Sequence, residues 1–266
     1  MTAATSVQPY LDAVILSKLA PAPVVGWFGA ARSILLTITA PAVILATAAY
    51  PRLARASGNS AELQREIRAA LRPLLWLGAL GSTGTYLFAR TAIEVVYGPG
   101  FEPAITILAA FAPAVFLLFI DILLGNALYA AGRGTGFAIA KIASVPVVAA
   151  LNFLLIPVFQ ERYGNGGIGV VVAFALGEIV VFAGGALALP PGTLRAATLL
   201  DIGRALAVAG VTVLLFHLAP PLSPWLGIPL CVGVFGAGSL GIGLVGPRDL
   251  SLLGTLFNRQ RARPSP

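Results

Sequence analysis

Apolar stretches of membrane-spanning length recur along this chain, and the arginines between them gather in alternate connections. The stretches 33–51, 73–89, 103–120, 142–160 and 205–247 carry no ionised side chain, and 163–195 is interrupted within its apolar part only by Glu178. The hydrocarbon core of a bilayer is about 30 Å thick and takes roughly 20 apolar residues in a helix. Hydrophobic residues make up 58% of the chain and charged residues 10%. Soluble domains carry about 25% charge, so a water-soluble fold of 266 residues would lack the polar side chains to cover its exterior. The mean hydropathy of +0.92 agrees.

The expected architecture is all-α, a polytopic transmembrane helix bundle with about seven full spans plus a partial N-terminal helix. Lipid offers unpaired backbone groups no partner, and no alternating pattern suggests a barrel. Spans are expected at about 26–50, 73–97, 103–130, 135–158, 167–189, 203–219 and 225–246. A break near Pro220, Pro221 and Pro224 separates the last two. The segment 10–20 is expected to be a half-length helix, the second half of a helix whose first half is missing, or else a re-entrant or interfacial piece. The first 18 residues have neither a basic leader region nor a small-residue cleavage site.

Cytoplasmic connections retain Lys and Arg. Arg52, Arg55, Arg65, Arg68 and Arg72 fall in one connection, Arg133 in the next but one, Arg195 and Arg204 two further on, and Arg248, Arg259, Arg261 and Arg263 in the tail. The opposite connections contain only Arg162. This alternation places the basic set and the C-terminus in the cytoplasm. The net charge of +7 is then mostly a topology signal and not a nucleic-acid footprint, although residues 259–263 are also suited to anionic lipid.

Taken in order, YLDAVILSKLAPAPVVGWFGAARSI, YPRLAR, AIEVVYGPGFEPAITILAAFAP, LGNALYAAGR and LNFLLIPVFQERYGNGGIG, with Glu178 following, resemble the C-terminal lobe of polysaccharide (O-antigen type) flippases. These belong to the multidrug/oligosaccharidyl-lipid/polysaccharide exporter superfamily. The resemblance covers about residues 9–190 and rests on order and spacing, not on one decisive motif. It implies one six-helix lobe of a two-lobed transporter that moves lipid-linked sugar units across the bacterial inner membrane. Residues 1–190 would form the lobe, 191–250 two additional C-terminal helices, and 251–266 a basic cytoplasmic tail. The implied partners are a lipid-linked oligosaccharide, membrane lipids, and a missing N-terminal lobe or a second copy. No cofactor and no nucleic acid are expected.

Several motifs have structural explanations. YPRLAR marks the end of a span, with Tyr50 at headgroup level and Arg52 and Arg55 beyond it. YGPGFEP is expected to form a tight turn on the outer side, and Gly132 to cap a helix before Arg133. Arg90 and Glu94, four residues apart, are placed for a local ion pair. Gly78, Gly81, Ser82 and Thr85, and separately Ala173, Gly177 and Gly184, form small-residue faces that let helices approach closely.

Ionisable groups at membrane depth are costly and tend to face a cavity or one another. Asp12 lies in the partial first helix and Arg32 about two turns inside the next span. The resemblance places both near the transporter cavity, where the planar Arg32 fork suits a lipid pyrophosphate. The bland reading is that Arg32 snorkels to the outer interface. Asp12 is a candidate partner of Arg32 or ligand of a coupling cation, pairing being preferred.

Lys141, Ser144, Val148 and Asn152 share one helix face at offsets of 3, 7 and 11 residues. That polar stripe lines a route, with Lys141 near its cytoplasmic mouth, or hydrogen-bonds a neighbouring helix. Asp121 and Glu178, deepest among the carboxylates of their spans, are candidates for proton or sodium coupling or for a helix-to-helix hydrogen bond. Asn126 does not share the face of Asp121.

His217 is the only histidine and Cys231 the only cysteine, which excludes metal clusters, nucleophile triads and disulfides. A membrane glycosyl- or polyprenyl-transferase would need acidic or His-containing motifs on sizeable loops. The longest connection, 52–72, holds only Glu62 and Glu66 in a segment resembling an amphipathic surface helix. The chain is therefore not expected to be an enzyme. A non-transporting scaffold or truncated fragment is the alternative to the flippase.

Overall fold

A computed structural model describes residues 2–189, 196–220 and 222–244. The expectations for Arg195, Pro221, Arg248, Arg259, Arg261, Arg263 and the 251–266 tail lie outside the described residues. Ten α-helices and no strand occur among the residues described. They are α1 (Thr2–Leu19), α2 (Ala22–Ala56), α3 (Ser60–Leu87), α4 (Ala89–Tyr97), α5 (Ala104–Ala110), α6 (Ala112–Ala130), α7 (Gly134–Tyr163), α8 (Gly166–Ala188), α9 (Ala196–Leu218) and α10 (Pro224–Gly241). The chain is thus an all-α polytopic bundle. Six of its helices, α2 and α6 to α10, are long and apolar enough to cross a membrane.

The helices hold together through a buried centre on α6. Its Val115, Phe116, Phe119 and Leu123 are inaccessible to solvent or nearly so, and it touches α2, α3, α7 and α8. Large apolar side chains elsewhere face outward, Leu206, Val211 and Leu214 of α9 among them. In water those surfaces would be a liability, whereas in hydrocarbon they are solvated.

Small residues set the closest approaches. A Cβ added at Gly177 of α8 would overlap Val148 of α7, and one at Gly78 of α3 would lie 2.8 Å from Phe119 Cβ of α6. Both expected small-residue faces therefore lie at helix contacts. Ser82 adds a hydrogen bond, its hydroxyl donating to the Ala112 carbonyl at 2.7 Å. Gly132 ends α6 at φ +69°, with the Arg133 amide donating to the Leu128 carbonyl at 2.8 Å and the Gly132 amide to that of Tyr129 at 3.1 Å. This is the doubled carbonyl cap that a left-handed residue permits.

The structure corrects several expected boundaries. α1 is an 18-residue helix beginning at Thr2, not a half-length piece beginning at Tyr10. The 52–72 connection is absorbed by helices. α2 runs through Pro51 to Ala56, and α3 starts at Ser60, where the Asn59 side chain accepts from the amides of Ala61 and Glu62. At about 1.5 Å per residue, the 35 residues of α2 extend well past a bilayer core about 30 Å thick. The amphipathic segment is thus the first half of α3, and Arg52 reaches Glu66 across the turn at 3.7 Å.

The expected 73–97 span divides at Phe88, whose torsions leave the helix (φ −114°, ψ 19°) and whose ring meets Phe216 edge-on at 6.2 Å. The 103–130 span divides at Phe111. Pro113 lacks the amide that would bond the Ala109 carbonyl, so the helix restarts at Ala112. In the turn after α4, Gly98 adopts φ +79° before a 3-10 turn at Pro99–Phe101, and Arg90 meets Glu94 at 2.8 Å and Glu102 at 3.5 Å.

α9 and α10 are fastened to the rest of the bundle by α3. The Arg68 guanidinium donates two hydrogen bonds, at 3.0 and 2.9 Å, to Asp201 of α9, and Arg72 donates to the Gly243 carbonyl beyond α10 at 2.7 Å. Asp201 is 1% exposed and is also approached by Arg204 at 3.5 Å. Removing a partner strands a buried carboxylate. Because the Arg68 side chain is 45% exposed, Arg68→Ala is expected to cost about 1–3 kcal/mol, less than the loss of a fully buried partner. Adding Asp201→Asn should restore part of it. Thermal unfolding of the two single variants and the double variant in detergent measures the coupling; additive effects would contradict it.

Candidate functional site

Asp12, Arg32, Lys141 and Glu178 line one cavity of about 300 Å³, together with Phe28, Phe111 and Phe174. Five helices supply the wall: α1 brings Asp12, α2 Phe28 and Arg32, α7 Lys141 and α8 Phe174 and Glu178. On α6 they are joined by Leu118 and Ile122. Phe111, at the α5–α6 break, packs against Phe28 at 6.1 Å and Phe174 at 6.2 Å. The break created by Pro113 therefore sets an aromatic side of the cavity. Thr39 also lines it, its hydroxyl bonded to the Leu35 carbonyl one turn back at 3.0 Å.

Two polar groupings meet there. In the first, Asn152 of α7, completely buried, donates from Nδ2 to Asp12 Oδ1 of α1 at 2.8 Å. Arg32 stands near enough for its charge to act on Asp12. In the second, Lys141 Nζ donates to Asp121 Oδ2 of α6 at 2.7 Å and lies 3.6 Å from Glu178 Oε1 of α8. All three side chains are largely buried, at 15%, 8% and 5% exposure for Lys141, Asp121 and Glu178. The ammonium also sits over the Phe137 ring, 5.7 Å from its centroid.

The six sequence-derived candidates thus converge on one region. Asn152 and Asp121 join the cavity-lining groups through their hydrogen bonds. The polar stripe of α7 faces inward along its length, with Ser144 and Val148 each 1% exposed. Asn126 turns elsewhere and donates to the Ile122 carbonyl of its own helix at 2.8 Å. The pairings Asp12–Asn152 and Lys141–Asp121–Glu178 were not foreseen. Nor were the aromatic lining or the Asp201 anchor, for which a lone carboxylate at the head of an apolar run was the available signal.

No family model matches the sequence, and no curated protein sequence matches it. Among solved structures the chain is similar to "Lipid II flippase MurJ, inward closed conformation", with a TM-score of 0.69 and 16% identity over 93% of this chain and 52% of that one. The chain spans about half the length of that transporter. The fold is therefore flippase-like, and the apolar helices make this a multi-pass membrane protein.

The Asp12–Asn152 bond joins residues 140 positions apart and ties α1 to α7. Hydrogen bonds to charged groups contribute about 1.5–3 kcal/mol. Asn152→Ala is expected to lower stability by about that amount, and Asp12→Asn to soften the loss. A thermal-unfolding cycle in detergent with Asn152→Ala, Asp12→Asn and their combination checks this; equal effects of Asn152→Ala in both backgrounds would contradict the pairing.

Proposed function

We propose that this chain is one lobe of a flippase for a lipid-linked oligosaccharide or polysaccharide precursor. It lies in the bacterial inner membrane with its C-terminus in the cytoplasm. In this reading the chain corresponds to the C-terminal lobe of an O-antigen-type transporter carrying two additional helices, and it is not an enzyme. The observation that supports it most directly is a cavity holding Arg32 and Asp12 within helices whose outer surfaces are apolar. The likeness to a lipid II flippase, with half of that chain matched, supports the same assignment.

Arg32 is the group assigned to the phosphates of the passing lipid. Its guanidinium is planar, permanently charged and able to grip two phosphate oxygens at once. Asp12 and Asn152 hold the adjoining wall. Lys141 reaches the same cavity, its charge offset by Asp121 and Glu178. The aromatic side formed by Phe28, Phe111 and Phe174 gives sugar rings an apolar face. Alternating access arises when this lobe rocks against a partner, either an N-terminal lobe or a second copy.

The test is a complementation assay of polysaccharide export with Arg32 variants, membrane abundance being followed in parallel. Arg32→Gln is expected to lower export about 10- to 100-fold, the equivalent of one charge-assisted hydrogen bond at about 1.5–3 kcal/mol. Arg32→Glu should abolish export, and Arg32→Lys should restore it in part because a point charge lacks the bidentate fork. Wild-type export from a normally abundant Arg32→Glu protein would remove Arg32 from the site.

A further inference from the structure

Lys141, Asp121 and Glu178 form a group whose charges do not cancel when all three are ionised. One ammonium faces two carboxylates, at 2.7 and 3.6 Å, and the sum is one negative charge. Asp121 is 6% and Glu178 4% exposed, and each has a second carboxyl oxygen, Oδ1 and Oε2, with no hydrogen-bond partner. A fully buried carboxylate with an idle oxygen is a poor resting state in a bundle surrounded by hydrocarbon. A proton on one carboxyl removes the excess charge and turns an idle acceptor into a donor.

We propose that the Lys141–Asp121–Glu178 triad is a single-proton site, with the proton carried by Glu178 at the cavity wall. Asp121 makes the shorter contact with the ammonium and stays ionised. Glu178 is farther from it and lines the cavity, so its hydroxyl is the one water can reach. On release, the Glu178 O–H bond breaks, the proton passes to a cavity water as hydronium, and the triad is left with one negative charge shared around Lys141. Uptake reverses each step.

A metal cation fits less well. Such ions collect several oxygen ligands, and among the described residues no cluster of three or more His, Cys, Asp or Glu side chains occurs. The ammonium already lies between the two carboxyl groups, where a metal would have to displace it.

The other groups facing the triad are few. Tyr129, about two helix turns beyond Asp121 along α6, has a buried hydroxyl without a partner and feels the charges of Lys141 and Asp121. Arg32 of α2 and Asp12 of α1 share the cavity. Among the other neighbouring elements, α5 carries no titratable side chain. On α3, Arg68 and Arg72 are engaged with Asp201 and the Gly243 carbonyl. Loss of the proton would place a negative charge in the cavity that Arg32 also lines, so protonation favours an anionic headgroup there. That use of the proton rests on the transport reading, whereas the existence of the site does not.

The experiment is infrared spectroscopy of the purified full chain in lipid nanodiscs, following the carbonyl stretch of protonated carboxylic acids as pH is raised, with no substrate present. Wild type is expected to show a band at neutral pH that shifts in deuterium oxide and disappears on alkaline titration. Glu178→Gln should remove it and Asp12→Asn should leave it, whereas Asp121→Asn, which leaves one carboxylate for the one ammonium, should lower the pH at which it disappears. Adding sodium chloride at constant pH should not change the wild-type band. Absence of any band in wild type overturns the proposal, as does a band removed only by Asp12→Asn or discharged by sodium. Should Glu178→Gln fail to fold, wild type and Asp12→Asn decide it, because a band surviving Asp12→Asn with the same alkaline loss supports the triad. The proton site is judged independently of export: an intact band with normal export from Arg32→Glu would remove Arg32 from the transport site and leave the proton site standing.

Discussion

An ionised side chain surrounded by hydrocarbon must find its counter-charge or its water inside the protein, and this requirement organises the bundle. Arg32, Asp12, Lys141, Asp121 and Glu178 come from five helices and meet at one cavity region. Each pairing joins two elements: Asp12 with Asn152 ties α1 to α7, while Lys141 with Asp121 and Glu178 ties α7 to α6 and α8. The close glycine contacts between α7 and α8 bring those side chains into range, so packing and electrostatics depend on the same helix faces. Outside this region, the spanning helices present leucine, isoleucine and valine.

The helical class and most of the apolar spans were legible because length and hydropathy are local properties. So were the small-residue contacts of Gly78 and Gly177, the Gly132 cap, and the inward face shared by Lys141 and Asn152, all of which follow from helical periodicity or a single residue's torsional freedom. What was not legible depends on tertiary structure. Nothing local joins Asp12 to an asparagine 140 residues away. The Phe88 break is supported by a ring on α9, and the amphipathic part of α3 looked like a surface helix because its buried partners lie in distant sequence. Pro113 did carry a local signal, a missing amide, but many prolines sit within these helices, as Pro41, Pro73 and Pro146 do.

The outer pair, α9 and α10, belongs to the same logic at another level. Asp201 is buried and bonded by Arg68, and Arg72 ends on the carbonyl of Gly243. These contacts use the arginines of the amphipathic first half of α3, which thus hold α9 and α10 against the rest of the bundle. The charged half of α3 is therefore structural.

The central claim is that the charged cavity is wet while the surrounding helix faces are embedded in lipid. It is tested most directly with single cysteines in a Cys231→Ser background, reacted in intact membranes with a small hydrophilic thiol reagent. Leu36 lines the cavity, and Val211 is more than half exposed on α9. The account predicts that Leu36→Cys reacts readily and that Val211→Cys is inert until the membrane is dissolved in detergent. Rapid labelling of Val211→Cys together with an unreactive Leu36→Cys would contradict it.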